Sequence, residues 1–185
     1  KNNCWIIYAD TEVRTNIKKF PTIKHHLDQF KPILTSAFKP YGLHRPREQR
    51  FFEGEKLFSL RKTMMPSFTF TDFPCYVSRA FLILKPEDID LKYLVGVLNS
   101  ELSYFMFYFT GKKQGEQLQI DKEPLLNFPI HVPENKNEND LSKKIIESVD
   151  LILEAKKELK TIRLEQKRKI LKKKIQLYEK EINGH

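Results

Sequence analysis

At 185 residues the chain is sized for one domain, or one domain with an extension, and its 40% hydrophobic content, including 14 Phe and 7 Tyr, excludes disorder over residues 1–135. The net charge of +9 favours a polyanionic partner, nucleic acid ahead of an anionic membrane surface. The two cysteines, Cys4 and Cys75, are too few and too far apart for a zinc site or a disulfide framework, and they suit small buried side chains in a reducing cytoplasm.

Trp5-Ile6-Ile7-Tyr8 predicts a short buried strand. Pro21 suits the first turn of a helix whose face is Ile23, Leu27 and Phe30, and Pro32 ends it. Residues 36–55 read as a polar loop with Pro40, Gly42, Pro46 and Gly54. Three strands are predicted next: Lys56–Arg61, Ser67–Thr71 and, strongest, Tyr76–Leu84, separated by Pro66 and Pro74. Glu87–Asp90 then caps one helix running to about Tyr108, with the face Leu91, Leu94, Val95, Leu98, Leu102, Phe105, Met106 and Phe109, and Gly111 stops it. Lys92, Asn99, Ser100 and Glu101 interrupt this stretch, the most apolar of the chain, so it is a core helix and not a membrane span. Gln117–Ile120 predicts one more short strand.

The fold class expected is α+β: a small mixed or antiparallel sheet with flanking helices, followed by a long C-terminal helix. The expected domains are a globular part over 1–135, a linker over 136–140 and a basic helical spacer over 141–182. Asn139 or Asp140 is the expected cap of that helix. Ile145, Val149, Ile152 and Leu159 share one heptad phase; Leu164, Leu171, Ile175, Tyr178 and Ile182 hold another, so the apolar seam steps sideways near residues 160–164. As one rod the helix would span roughly 60–65 Å. Such a rod is unstable unpacked, so it predicts a partner helix from outside the chain or from a second copy.

The chemistry-bearing motifs are mostly missing. There is no Gly-rich phosphate loop, no nucleophile elbow and no Asn/Asp-Pro-Pro-Tyr/Phe motif. His25 and His26 are adjacent on a helix and make a poor metal pair. The string Asp150…Glu154-Ala155-Lys156 resembles a nuclease motif, but it lies mid-helix, where Glu154 and Lys156 point in different directions. No catalytic or metal-ligating residue is therefore expected in this chain.

Basic loop residues are more telling. Lys39, Tyr41, His44, Arg45, Arg47 and Arg50 cluster in one loop. Arg61 and Lys62 follow a strand, Arg79 lies inside the third strand, and Lys112, Lys113 and Gln114 are followed by Gln117 and Gln119. Lys and Arg attract phosphates regardless of sequence. Arg forks match guanine and Gln forks match adenine in the major groove. The loop around Arg45–Arg50, Arg61-Lys62 and Lys112–Gln114 are expected to line one DNA-facing surface. Lys160–Lys174 adds eight Lys/Arg against one Glu. That run is a solvated helix face, a DNA-backbone contact or a dock for an acidic surface.

A family resemblance follows from longer strings. Asn16-Ile17-Lys18-Lys19-Phe20-Pro21, Tyr41-Gly42-Leu43-His44-Arg45-Pro46-Arg47, Lys56-Leu57, Tyr76-Val77-Ser78, Tyr93-Leu94-Val95-Gly96-Val97-Leu98-Asn99-Ser100-Glu101-Leu102, Gly111–Gly115 and Leu125–Ile130 together resemble the TaqI-like target-recognition domain of adenine-specific DNA methyltransferases. The resemblance covers roughly residues 5–133, and the helix beyond is similar to the spacer of type I specificity subunits and fused type IIG enzymes. It implies a double-stranded DNA partner and a parent whose separate domain transfers a methyl group from S-adenosylmethionine to a flipped adenine, with Mg in any fused nuclease. It implies no cofactor in this chain, packing against the parent's methyltransferase and nuclease domains, no membrane partner and a bacterial cytoplasm. The chain opens on Lys1 and is read as a piece of a longer polypeptide. Two other readings stay open: half of a type I specificity subunit, or a coiled-coil assembly module whose charge is incidental.

Overall fold

The computed structural model describes residues 6–33, 41–42 and 46–184. These residues fall into two compact units, one up to Phe52 and one from Glu53 onward.

In the first unit, α1 (Thr11–Thr15) begins at Asp10, whose carboxylate accepts the Val13 N–H. A short 3-10 turn (Ile17–Lys19) leads into α2 (Pro21–Asp28), with Pro21 in its first turn as expected. A second 3-10 turn spans Gln49–Phe51. The strand expected at Trp5–Tyr8 is not formed: Trp5 lies outside the described residues and Ile6–Tyr8 is irregular, with Ile6 exposed. Tyr8 instead bridges to a distant part of the same unit, its hydroxyl donating to the Arg47 carbonyl (2.8 Å) and accepting the Arg47 N–H (2.6 Å).

The second unit holds two three-stranded antiparallel sheets. In the first, β1 (Lys56–Leu60) lies between β3 (Phe68–Thr71) and β4 (Phe81–Leu84). In the second, β6 (Gln117–Gln119) lies between β2 (Lys62–Thr63) and β5 (Lys112–Gln114). The strand expected over Tyr76–Leu84 shortens to β4, because Ser78 starts a turn. Its carbonyl accepts the Phe81 N–H and its hydroxyl the Ala80 N–H. Arg79 therefore sits in an exposed turn and not inside a strand.

The single helix expected from Asp90 to Tyr108 is two. Asp90 caps α3 (Leu91–Leu98) by accepting the N–H groups of Lys92 and Tyr93. Ser100 caps α4 (Glu101–Thr110) by accepting the Ser103 N–H. Between them the Asn99 amide clamps the edge strand, accepting the Phe68 N–H and donating to the Phe68 carbonyl, both at 2.8 Å. This break changes which face is inward. Leu91, Leu94, Val95 and Leu98 pack into the core as expected, but Leu102, Phe105 and Phe109 are 67, 59 and 69% exposed, while Ser103 and Phe107 are buried. Gly111 ends α4 as expected.

After the short α5 (Lys122–Leu126) comes α6 (Lys136–Thr161). Its cap is Asn135, not Asn139 or Asp140. Asn135 Oδ1 accepts the Glu138 N–H, and the Glu138 carboxylate accepts in return from Asn135 Nδ2 and from the Glu134 N–H. The stretch 136–140, expected as a linker, is thus the first turn of the helix. The long C-terminal helical region is present, but it runs in two segments, with α7 (Glu165–Gly184) following a break at residues 162–164.

The second segment returns along the first. Ile152 and Ala155 of α6 are buried with Leu171 and Ile175 of α7, and the Ser148 hydroxyl reaches the Glu181 carboxylate. Arg168 closes the corner by donating to the carbonyls of Leu159 (2.8 Å) and Ile162 (3.0 Å). The partner helix that the seam required is therefore α7, and the break falls where the seam was expected to step. α6 also docks on α3, through Val149 in the core and a Lys92–Asp150 ion pair at 2.6 Å.

Candidate nucleic-acid interface

The second sheet is the best-formed polar surface among the basic clusters. Its β5–β6 hairpin turns at Gly115-Glu116, with Gly115 at φ +62° in the first central position, as a two-residue type II′ turn requires. Register then decides which side chains share a face. Lys62 and Lys112 both stand opposite Gln119, and Gln114 stands opposite Gln117. Side chains alternate along a strand, so Lys62, Lys112, Gln114, Gln117 and Gln119 project from one face. The other face carries Leu118, which is buried, with Thr63 and Lys113 in its row. The Lys113 ammonium sits 3.5 Å from the centroid of the Tyr108 ring, a cation–π contact with α4.

Asp121 controls the charge beside this face. It accepts from Arg61 Nε (2.9 Å) and Nη2 (2.5 Å), accepts from Gln119 Nε2 (3.0 Å) and lies 3.6 Å from Lys112 Nζ. The Arg61 bond first, and then Gln119 and the charges of Arg61 and Lys112, hold its carboxyl below the usual carboxylate range. Two of the expected DNA-contacting cations therefore share one internal anion. Lys62 and Lys113 have no ion pair among the described residues. Arg61 also joins the two sheets through its backbone, donating to Ala80 and accepting from Ile120.

The loop cations divide differently. Lys39, His44 and Arg45 lie outside the described residues. In the first unit, the Tyr41 hydroxyl donates to Asp28 (2.6 Å), which also pairs with Lys24 (2.6 Å) and Lys31 (3.0 Å). Tyr41 is thus a structural partner, and Asp28 is held well below the usual carboxylate range, first by Lys24. Arg47 is half-buried, and Arg50 pairs with Glu48 (2.7 Å) over the Phe51 ring.

Sequence reasoning missed Asp121, because a lone acid after a strand carries no local signal. Register alone brings Gln119 into line with the two lysines. Among the described residues no group of three His, Cys, Asp or Glu is placed to hold a metal ion, and no helix is long and apolar enough to cross a membrane. No protein-family model matches the chain, and no curated protein matches it significantly.

Proposed function

We propose that this chain is the DNA target-recognition module of a restriction–modification enzyme, positioning a parent's adenine methyltransferase, and any fused nuclease, on its site. One observation carries the reading: the face on which register aligns Lys62, Lys112, Gln114, Gln117 and Gln119. The Gln114–Gln117 pair and the Gly115-Glu116 turn extend beyond β2, so the two amides stand at the tip of the hairpin, and a β-hairpin is one of the shapes that fit a major groove about 12 Å wide. Its lysines supply sequence-independent attraction to phosphates, and its amides supply forks that match adenine. S-adenosylmethionine and Mg belong, on this reading, to domains of the parent.

The test is selection from a random duplex pool with the intact chain. A short consensus is expected to enrich. Substituting Gln114 and Gln117 with Ala is expected to relax that consensus by about 1–3 kcal/mol of discrimination per base contact. Neutralising Lys62 and Lys112, the two lysines of that face, is expected to weaken binding to all duplexes and flatten the salt dependence. An enriched pool no different from the input would end the reading.

A further inference from the structure

The net charge of this protein is concentrated in one place. Residues 156–174 carry ten Lys and Arg against Glu158 and Glu165, a local +8, which leaves +1 for the rest of the chain. Folding concentrates it further. As a straight helix those nineteen residues would extend about 28 Å; folded back at 162–164, they occupy about half that length at the closed end of the α6–α7 hairpin. Charges crowded into an end of about that length are incompletely screened from one another, since the Debye length is about 10 Å at 0.1 M salt, and so they repel. Successive residues Lys172, Lys173 and Lys174 point about 100° apart around α7, so positive charge surrounds the end instead of forming one stripe.

No internal anion offsets it. Arg168 is used on the carbonyls of Leu159 and Ile162. Lys156, Lys157, Lys160, Arg163, Lys167, Lys169, Lys172, Lys173 and Lys174 are exposed, and among the described residues none of them is in an ion pair. This contrasts with the sheet face, where Asp121 already occupies Arg61 and Lys112.

We infer that the closed end of the α6–α7 hairpin is a second, sequence-independent contact for the phosphate backbone of duplex DNA. The inference takes its ligand from the reading above and its place from the charge of the hairpin. Charge complementarity supports it: a duplex presents one negative charge per about 1.7 Å with both strands counted, so a stretch about 14 Å long carries about eight around its circumference, and the part of them on the near side meets the lysines on whichever side of the end it lies against. A lipid surface fits less well, since Leu164 and Ile170 are the only large apolar residues exposed within 156–174, too few for an inserting face.

The experiment compares three full-length proteins on a fluorescent random-sequence duplex at several salt concentrations. They are the wild type, a hairpin variant (Lys167→Gln, Lys169→Gln, Lys172→Gln, Lys173→Gln) and a sheet variant (Lys62→Gln, Gln114→Ala, Gln117→Ala), with folding checked by circular dichroism. The hairpin variant is expected to lose roughly tenfold or more in affinity at low salt, and about 0.9 of salt slope per lost phosphate contact, while its order of preference among duplexes is unchanged. A hairpin variant with the wild-type slope overturns this inference, even if the sheet variant loses its preference and the recognition reading stands. Hairpin-dependent binding with no sequence preference in any protein leaves this inference standing and removes the other. Wild-type protein held more tightly by phosphatidylserine vesicles, or by polyglutamate, than by the duplex at equal salt also overturns it.

Discussion

Asp121 holds Arg61 through two bonds to a single oxygen, Oδ1, at 2.9 Å from Nε and 2.5 Å from Nη2. The guanidinium is therefore fixed in place but partly spent, and the same carboxylate attracts Lys112 at 3.6 Å.

Asp121→Asn removes that anion and leaves Arg61 and Lys112 with their full charge facing outward. Affinity for duplex DNA at low salt is expected to rise several-fold, with the salt slope steeper by about one phosphate contact. Fluorescence anisotropy across a salt series measures both. Unchanged or weaker binding by a folded variant would show that Arg61 and Lys112 do not face the ligand.

Acid stability has a defined sign. The carboxyls of Asp121 and Asp28 are both held below their ordinary values, chiefly by Arg61 and by Lys24. Each contributes stability that is fully present above the unfolded carboxylate pKa of about 3.9 and is lost as pH falls through the folded value. Thermal unfolding temperature is expected to be insensitive to these groups between neutral pH and about pH 5, and to drop on acidification below about pH 4. A chain carrying Asp28→Asn and Asp121→Asn is expected to start lower and to show a flatter acid limb. An acid limb as steep as wild type would assign the acid lability to other groups.

Gly96 marks the closest approach of α3 and α6, since a Cβ there would overlap the Ile145 Cγ2. Ile145 is buried and β-branched, so it gives way poorly. Gly96→Ala is expected to destabilise the second unit by about 1–3 kcal/mol in urea unfolding, an overpacking cost. Gly184→Ala, where nothing lies near an added Cβ, is the control expected to change little. Equal effects at both positions would rule out close packing as the reason for glycine at 96.

Lys56 is 0% exposed, and its ammonium donates to the carbonyls of Gly54 and Phe73, both at 2.7 Å. It ties the start of β1 to the chain after β3. Lys56→Ala leaves those carbonyls without their donor and is expected to cost about 3 kcal/mol. Lys56→Met keeps the stem volume and is expected to recover only the packing part. A methionine variant as stable as wild type would show that the two hydrogen bonds contribute nothing net.

Much of the fold was legible because its signals are local. Asp90 and Ser100 are both good caps by residue type, and Pro21 and Gly111 mark a helix start and stop. The strands at Lys56 and Phe68 follow from alternation. Ser100 nonetheless reads as an interruption within one helix, because a serine inside an apolar run looks the same whether or not it caps a second helix. The consequence is large: Leu102, Phe105 and Phe109, which a single helix would turn to the core, are exposed. In the candidate site, Arg61-Lys62 and Lys112–Gln114 stand out in the sequence as basic clusters, whereas only cross-strand register with β6 shows that Lys62, Lys112 and Gln114 share a face and that Lys113 lies on the other.

By itself the sequence determined the Asp90 cap, the alternation of the strands at Lys56 and Phe68, the step in the apolar seam and the crowding of +8 into residues 156–174. These depend on hydrogen bonds and side-chain spacing within a few residues. Only the tertiary structure decided that the seam step becomes a corner, with Ile152 and Ala155 buried against Leu171 and Ile175, and that Asp121 meets Arg61 across sixty residues of chain. Both choices depend on apolar burial and ion pairing between distant segments, and a heptad shift satisfies either a bent rod or a hairpin until those contacts favour one.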